Sequence, residues 1–358
     1  MVTRWHRAHL LERLAAPPTS GLSRRRCLLG MAARVAYGSS FLLLGGCESR
    51  SSSARWPAKI ARIGYLGHDA GPAGNPYVGA FQQGLHELGL VEGRNLTMEY
   101  RFAAGRVERL PDLATELVGR QVDVIVASQD QATHVAKTIT STIPIVMVAT
   151  SDPVGTGLIA SLARPQGSIT GLTLLSAELS AKRLELLKEV MPDVSRVAVL
   201  WNATSRDKAR EFGATQSAAQ EWGMQLQSLA VSHVDEFWRA FQEATAARAE
   251  ALITLLDHLT FAHRELVGFL ASQAQLPALF EVRECVEVSG LMAYGPSLLA
   301  LYRRAAAYVD KLLQGVPPSD LPVERPTRFE LVINLRTVQV LGLSLSRSVL
   351  LLADELIQ

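Results

Sequence analysis

Polar side chains follow the apolar runs of this sequence, at the points where the predicted strands end. Carboxylates at these points can pair with an ammonium group, and hydroxyls and amides can hydrogen-bond a carboxylate. Ligands of parallel α/β sheets sit outside the carboxyl ends of the strands, so we expect these residues to border a ligand-binding cleft. The candidate ligand-binding residues are His68, Asp69, Ser128, Gln129, Asp130, Thr150, Ser151, Asp152, Asn202, Thr204, Asp257, Glu281 and Tyr294.

The same residues have a second interpretation that requires no ligand. Ser, Thr, Asp and Asn favour turns and helix N-caps wherever strands and helices are joined. Tyr294 follows an apolar run and could offer its ring and hydroxyl to a ligand, or pack in a core or hinge. The set as a whole points to a cleft, while each member remains open to either interpretation.

The residue patterns of catalytic sites do not occur in the sequence, which has no G-x-S-x-G elbow and no Walker loop. Gly155, Gly157 and Ala160 imitate a dinucleotide fingerprint, but they follow the fourth predicted strand instead of the first. His258 and His263 are five residues apart, off the spacing that places two metal ligands on one helix face, and are expected in a capping region and on the surface. Cys285 is expected in the core. The sequence therefore predicts a protein that is not an enzyme and uses no cofactor or metal.

Short β-rich runs alternate with amphipathic stretches from residue 59 onward, in two successive series. The first series has strands at 61–66, 96–101, 122–127 and 143–148 and helices at 77–88, 110–118 and 131–138. After a connecting stretch at 154–175, the second has strands at 197–200, 225–230, 251–256 and 278–281 and helices at 184–190, 208–222, 235–247 and 261–273. This order predicts an α/β fold with two doubly wound parallel-sheet lobes.

The charge of the chain is unevenly distributed along its 358 residues. Residues 1–46 contain seven of the 36 basic residues and one of the 34 acidic residues, leaving 29 basic and 33 acidic residues in the remainder. A domain with this acidic balance is a poor candidate for binding nucleic acid through its phosphates.

The N-terminal segment has the three-part pattern of an export signal, with a basic triplet at 24–26, an apolar stretch and small residues before Cys47. Ser23-Arg24-Arg25, with Leu28 further on, resembles a twin-arginine signal. Residues 44–47 resemble a lipobox that would make Cys47 a lipidation site. A simple signal peptide and a retained membrane anchor are the alternatives, and Arg34 interrupts the apolar stretch that an anchor requires. We predict an export signal at 1–46, then the lipidated Cys47 and a polar tether to residue 58.

Several stretches resemble the ABC transporter substrate-binding protein family that includes tryptophan- and tyrosine-type binding lipoproteins. The stretches that carry the resemblance are FQQGLHELGLVEGRNLTMEYR (81–101), RLPDLATEL (109–117), VDVIVA (122–127), DPVGTGLIASLARPQGSITG (152–171), KRLELLKEV (182–190), RVAVL (196–200), GLMAYGP (290–296), AAYVDKL (306–312) and LPVERPTRFELVINL (321–335). They extend over essentially the whole chain after the tether.

The resemblance implies a fold like that of type I periplasmic binding proteins, with two lobes joined by a multi-segment hinge. The lobes would span 59–175 with part of 295–320, and 176–294 with part of 321–358. The implied function is extracytoplasmic capture of a small polar solute, amino-acid-like or aromatic, for an ABC permease and its cytoplasmic ATPase. The protein would be a monomer held on the membrane by its lipid. A ligand-sensing lipoprotein that signals to a membrane receptor is the alternative.

One stretch departs from the family pattern, because the chain has Ser128-Gln129-Asp130-Gln131-Ala132, expected to face the cleft, where members often carry Gly-Thr-Pro-Ala. Specificity for a particular amino acid therefore cannot be transferred. If the solute is an amino acid, we expect one carboxylate among Asp152, Asp257 and Glu281 to pair with its ammonium group. Ser128, Thr150, Ser151 and backbone N–H groups at helix starts would hold its carboxylate as the lobes close.

Overall fold

The computed structural model of the protein describes residues 60–358, which contain two β-sheets. The strands of the first sheet are β1 (Ala61–Gly67), β2 (Leu96–Phe102), β3 (Val124–Ser128), β4 (Ile145–Thr150) and β5 (Ile169–Thr173). They are all parallel, in the order β2-β1-β3-β4-β5. Every residue of β3 and β4 is buried, as expected for apolar strands of a parallel sheet that helices cover on both faces.

The second sheet has seven strands. These strands are β6 (Arg196–Asn202), β7 (Gln225–Val231), β8 (Ala251–Thr254), β9 (Ala278–Phe280), β10 (Met292–Gly295), β11 (Glu330–Asn334) and β12 (Glu355–Ile357). Their order is β12-β11-β10-β9-β8-β6-β7, and every pair is parallel except β10 with β11. The two mainly parallel sheets confirm the predicted α/β class with two lobes.

Twelve α-helices accompany the sheets in the described part of the chain. The helices are α1 (Pro76–Glu87), α2 (Leu110–Gly119), α3 (Gln129–Ile139), α4 (Ser176–Val190), α5 (Arg206–Glu221), α6 (Phe237–Ala246), α7 (His258–Ala262), α8 (Arg264–Gln273), α9 (Arg283–Val286), α10 (Leu298–Leu313), α11 (Leu335–Val340) and α12 (Arg347–Leu352). Side chains of Asn75, Ser205 and Asp257 cap α1, α5 and α7 by accepting backbone N–H groups of the first turn. Several of these caps lie at the strand ends where the polar candidates were found.

Helix α10 follows a strand of the second sheet but packs on the first. It buries Tyr302, Ala305 and Ala306 and contacts α1, β3, β4 and β5. A β-carbon at Gly84 would lie 2.3 Å from the carbonyl oxygen of Arg303, so glycine permits the close approach of α1 and α10. The chain therefore passes between the lobes three times: after β5, after β10 and through residues 314–329.

The structure corrects three details of the sequence prediction. The stretch at 154–175, expected only to connect the two series, contains β5. The single helix expected at 261–273 is two helices, α7 and α8, which meet at His263. The second sheet is not wholly parallel, because β11 returns from the other lobe after α10 and runs antiparallel to β10.

Candidate functional site

A cavity lies where the strand ends of the first lobe face those of the second. Its lining residues are His68, Gln129, Asp130, Gln131, Ala149, Leu174, Ser205, Leu256, Asp257 and His258. The space that they enclose has a volume of about 10 Å³, which is room for about one water molecule. A molecule much larger than water can enter only if the lobes move apart.

The backbone at the wall of the first lobe is unusual at two non-glycine positions. Gln129 has a φ of 66° and Ala149 a φ of 60°, both in the left-handed region. Ala149 also lies at the register shift between β4 and β5. Such conformations persist where the surrounding structure enforces them, and they cluster at ligand-binding sites.

Two imidazole rings from opposite lobes meet at the cavity. His68 follows β1 in the first lobe and His258 begins α7 in the second, and their ring centroids are 5.0 Å apart with an interplanar angle of 25°. Burial lowers the pKa of His68 to about 3, assisted by the neighbouring His258, and burial also lowers the pKa of His258. Both rings are therefore neutral at physiological pH, and neither nitrogen of His68 has a hydrogen-bond partner.

Two carboxylates complete the polar wall of the cavity. Asp257 accepts hydrogen bonds from the Thr260 backbone N–H at 3.0 Å and from the Asn202 side-chain amide at 2.5 Å. Asp130 accepts the backbone N–H of Ser151 at 2.7 Å and the Ser151 hydroxyl at 2.8 Å. Burial and the nearby Asp207 raise the pKa of Asp130 to about 6.

Behind this wall lies a buried group of ionisable side chains, here termed the charge cluster: Arg183, Lys208, Glu211 and Glu281. Arg183 contacts Glu281 at 3.3 Å and Glu211 at 3.4 Å, and Lys208 donates to Glu211 at 2.6 Å. Glu281 also accepts the Ser176 hydroxyl and the Leu256 N–H, both at 2.9 Å. All four side chains are almost completely excluded from solvent.

The two carboxyl groups of the charge cluster have very different pKa values. Burial and the proximity of Glu281 raise the pKa of Glu211 to about 8. Burial would also raise the pKa of Glu281, but Arg183 and Lys208 outweigh it and lower that pKa to about 2. Burial alone would lower the pKa of Lys208, yet its acidic neighbours raise it. Glu281 is thus ionised, with its charge balanced inside the second lobe.

Polar contacts bridge the two lobes beside the cavity. The Lys208 ammonium donates to the Ser151 hydroxyl at 2.9 Å in a buried contact, and Arg210 pairs with Asp152 at 3.0 Å in a more exposed one. His134 of α3 lies 3.3 Å from the Asp207 carboxylate. The charge cluster is therefore linked to the first lobe through Lys208.

The structure places four of the thirteen predicted residues on the cavity: His68, Gln129, Asp130 and Asp257. The other nine contact protein groups. In the first lobe, Ser128 hydrogen-bonds Tyr302, Thr150 donates to the Met147 sulfur, and Asp69 accepts a hydrogen bond from Asn75. Ser151 links Asp130 to Lys208, and Asp152 pairs with Arg210. In the second lobe, Asn202 hydrogen-bonds Asp257 and Thr204, Glu281 belongs to the charge cluster, and Tyr294 stacks on Phe329.

Sequence reasoning missed several residues of the site. His258 was expected in a capping region and does follow the cap of α7, but its ring also lines the cavity. Gln131 and Ser205 belong to the polar strand ends of the sequence but not to the candidate list, and the apolar Ala149, Leu174 and Leu256 belong to neither. Adjacency in the sequence to a candidate residue is the signal that indicates two of them, because His258 directly follows Asp257 and Gln131 directly follows Asp130.

The sequence profile of the ABC transporter substrate-binding proteins matches residues 59–357, and so covers both lobes and the cavity between them. The chain belongs to the ABC transporter substrate-binding protein family. The predicted family is thereby confirmed. Members of this family bind substrates for transport, so the chain is a binding protein and not an enzyme.

The chain is also similar to named proteins, of which the solved structures show the same fold. The chain is 24% identical to the tyrosine-binding protein of Clostridioides difficile, over 74% of this substrate-binding protein and 75% of the relative. A solved structure from Streptococcus pneumoniae in complex with L-Trp is 23% identical, with a TM-score of 0.79, covering 84% of this chain and 100% of that one. The ligand-free, open structure of a substrate-binding protein with adhesive properties from Clostridium difficile is 21% identical, with a TM-score of 0.63 and the same coverage.

Two further observations concern the described residues alone. Among residues 60–358, no helix is long and apolar enough to cross a membrane. The same residues contain no group of three or more His, Cys, Asp or Glu side chains that could hold a metal ion. The predicted export signal, Cys47 and the polar tether lie outside the described residues.

Proposed function

We propose that this substrate-binding protein captures an amino acid in the cavity between its lobes and delivers it to an ABC importer. The charge of the cavity wall is the observation that carries the proposal. The wall contains two carboxyl groups and two neutral imidazoles, and its lining includes no lysine or arginine. Such a wall favours a ligand with an ammonium group.

Asp257 is the residue that we assign to the ligand ammonium. It lines the cavity, and Thr260 and Asn202 fix its orientation by donating to its two oxygens. Oδ1 also accepts from the Thr260 hydroxyl at 3.2 Å, whereas Oδ2 accepts from the Asn202 amide and has a second lone pair for an incoming donor. Glu281 is less suitable because Arg183, Ser176 and Leu256 already contact both of its oxygens.

The start of α3 is the place that we assign to the ligand carboxylate. Gln129 and Gln131 line the cavity in the first turn of this helix, and the Asp130 carboxyl group between them accepts from Ser151 with both of its oxygens. The N-cap Ser128 makes no capping bond, since its hydroxyl contacts Tyr302. Backbone N–H groups at a helix start attract anions. An amino acid bound in this way would span the cavity from Asp257 in the second lobe to α3 in the first.

The cavity volume and the interlobe contacts support a cycle of opening and closing. The cavity of about 10 Å³ must enlarge to admit an amino acid. Opening about the three crossing segments would break the contacts between Lys208 and Ser151 and between Arg210 and Asp152. Ligand bound to both lobes would favour the closed form, which a permease could distinguish from the open one.

Three parts of the prediction enter this proposal from the sequence alone. These are export through residues 1–46, lipidation at Cys47, and attachment of a monomer to the extracytoplasmic membrane face. We also propose the predicted lobe boundaries at residues 175 and 294. The contacts of α10 with the first sheet support the boundary at 294.

The test is calorimetric titration of the purified protein with L-tryptophan, L-tyrosine and L-leucine, and with the deaminated analogue indole-3-propionate. Asp257→Asn keeps a side-chain oxygen that can cap α7. We expect it to weaken the binding of the amino acid with the highest affinity by about 10- to 100-fold, the range for a hydrogen bond to a charged group. Indole-3-propionate should bind the variant and the native protein alike. Asp112→Asn, in the exposed first turn of α2, is the matched control.

Two results would contradict the proposal. Binding of none of the three amino acids would remove the assigned ligand class. Equal affinities of the native protein and Asp257→Asn would remove Asp257 as the ammonium partner.

A further inference from the structure

Two imidazole rings form part of the contact between the lobes. His68 follows β1 in the first lobe and His258 begins α7 in the second, and their ring centroids lie 5.0 Å apart. Both side chains are largely shielded from water, and neither ring nitrogen of His68 has a hydrogen-bond partner. A protonated His68 would place a charge and two N–H donors here with no acceptor for them. The closed contact therefore requires His68 to be neutral.

We propose that His68 and His258 form a pH-sensitive contact between the lobes, which opens in acid and releases the ligand. The proposal rests on the proposed function and adds a form of regulation to the same site. When the lobes separate, both rings meet water and can take up protons at the ordinary pH of an imidazole. Protons thus favour the open form while the ligand favours the closed form, so the two oppose each other through the same lobe movement.

The shifts in pKa have the sign that this regulation needs. Burial lowers the pKa of His68 to about 3, assisted by His258, and burial also lowers the pKa of His258. An imidazole in water has a pKa of about 6.5. As the pH falls below 6.5, the open form therefore binds protons that the closed form does not, and the population of the closed form decreases.

Other charged groups face the two rings from several elements, and some of them act in the opposite direction. They are Asp69 beside His68, Arg264 of α8 near Asp69, Asp130 at the start of α3 with Asp207 and Lys208 behind it, Asp257 before α7, and His263 after it. Asp257 favours a charged His258, whereas His263 disfavours it. Burial and Asp207 raise the pKa of Asp130 to about 6, so closing makes Asp130 bind a proton in acid. One carboxyl group thus reduces the pH effect of two rings without reversing it.

Protonation also acts on the place assigned to the ligand ammonium. Nδ1 of His258 lies 3.4 Å from Oδ2 of Asp257, the oxygen with a free lone pair. A charged His258 would donate to this oxygen and bring a positive charge next to the ammonium group. Ligand and proton therefore compete at Asp257 as well as through the movement of the lobes.

The test is the affinity for L-tryptophan at pH 7.5 and at pH 5.5, measured by calorimetric titration of the native protein and of His68→Asn. L-Tryptophan keeps its charge over this range. We expect the loss of affinity from pH 7.5 to pH 5.5 to be about tenfold smaller in His68→Asn, because an imidazole with a pKa of about 6.5 in the open form and about 3 in the closed form contributes that factor. His86→Asn, at an exposed position of α1, is the matched control and should lose as much affinity as the native protein.

Asp130→Asn supplies a comparison of opposite sign. It removes the carboxyl group that binds a proton on closing, so the loss of affinity from pH 7.5 to pH 5.5 should become about fourfold larger than in the native protein. The quantity compared is the ratio of each protein's own affinities at the two pH values. A substitution that weakens binding equally at both values does not change this ratio.

Equal ratios in the native protein, His68→Asn and His86→Asn would overturn the pH-sensitive contact and leave the proposed function in place. If L-tryptophan does not bind, small-angle X-ray scattering of the ligand-free protein decides instead. A radius of gyration that increases from pH 7.5 to pH 5.5 in the native protein but not in His68→Asn would support the contact, and an unchanged radius of the native protein would overturn it. Should melting temperatures show that His68→Asn is not folded, His258→Gln takes its place.

Discussion

The charge cluster and the cavity wall lie side by side between the lobes, but they differ in how their polar groups are satisfied. In the charge cluster, Glu281 and Glu211 each contact a cation, and Glu281 has hydrogen-bond donors on both oxygens. In the cavity wall, His68 is also buried, and neither of its ring nitrogens has a hydrogen-bond partner. A buried group whose hydrogen bonds are complete has none left for a ligand, whereas one whose hydrogen bonds are open can receive a ligand.

This difference also decides which acidic residue suits the ligand. Glu281 and Asp257 both follow strands of the second sheet, and the sequence offers them as equivalent. Arg183 neutralises Glu281 from within the same lobe, while Asp257 faces the cavity. Position at a strand end therefore indicates only the neighbourhood of the site, and the contacts of each side chain determine its role.

The largest expected effect is on the charge cluster. Arg183→Met leaves Glu281 and Glu211 buried without their guanidinium partner, and should lower the free energy of unfolding by about 3–5 kcal/mol. Arg325→Met, which removes an exposed pair with Glu178, is the matched control and should cost less than about 1 kcal/mol. Denaturant unfolding of both variants measures the difference. Equal losses of unfolding free energy in the two variants would mean that the buried ion pairs of Arg183 contribute no more to stability than the exposed pair of Arg325.

A smaller effect is expected where the charge cluster meets the other lobe. Lys208→Met removes the buried bond to Ser151, and should weaken binding of the amino acid that the native protein prefers by about 10- to 100-fold, the range for a hydrogen bond to a charged group. Arg210→Met removes the exposed interlobe pair with Asp152, and should stay within about fivefold. Calorimetric titration compares the two. If Arg210→Met proved the more damaging, the exposed edge and not the charge cluster would hold the lobes together.

The smallest expected effect is the pH dependence that His68 confers. Its pKa is about 3 in the folded protein and about 6.5 when exposed, so the unfolded chain binds a proton in this interval that the folded protein does not. The contribution of His68 to stability is thus lost as pH falls below 6.5. His68→Asn should reduce the fall in unfolding free energy between pH 6.5 and 5.5 by about 1 kcal/mol. Identical pH profiles of the native protein and this variant would show that His68 is not held neutral by burial.

The fold could be predicted from the sequence because most strands are continuous apolar runs. VDVIVA and IPIVMV became β3 and β4 with small shifts of their boundaries. Strand β5 was missed because its sequence ITGLT is short and mixed, and because Gly171 has a φ of 136° that is unusual in a strand. Met147 lies so close to Gly171 that only glycine fits, a packing constraint that no local pattern reveals.

The site could be predicted only as a neighbourhood. Ser128 was selected from its place after β3, but its hydroxyl bonds Tyr302, which is 174 residues away in the sequence. Glu281 was selected in the same way and bonds Ser176, which is 105 residues away. Because such partners depend on how the lobes are assembled, the spacing of residues along the chain cannot tell whether a polar side chain faces the cavity or another part of the protein.

The placement of α10 has a consequence for synthesis of the chain. The first sheet emerges from the ribosome early, but the helix that packs on it beside α1 is made only after every element from α4 to β10. Until then, apolar surface of β3, β4 and α1 that Tyr302 and Ala305 later cover stays open to water and to other chains. The first lobe therefore cannot be completed before the second has largely been translated, and contacts between such distant parts of a chain form slowly. The nascent protein therefore needs protection of its exposed apolar surface in the cell. It needs that protection for longer than a two-lobe chain whose lobes are completed one after the other.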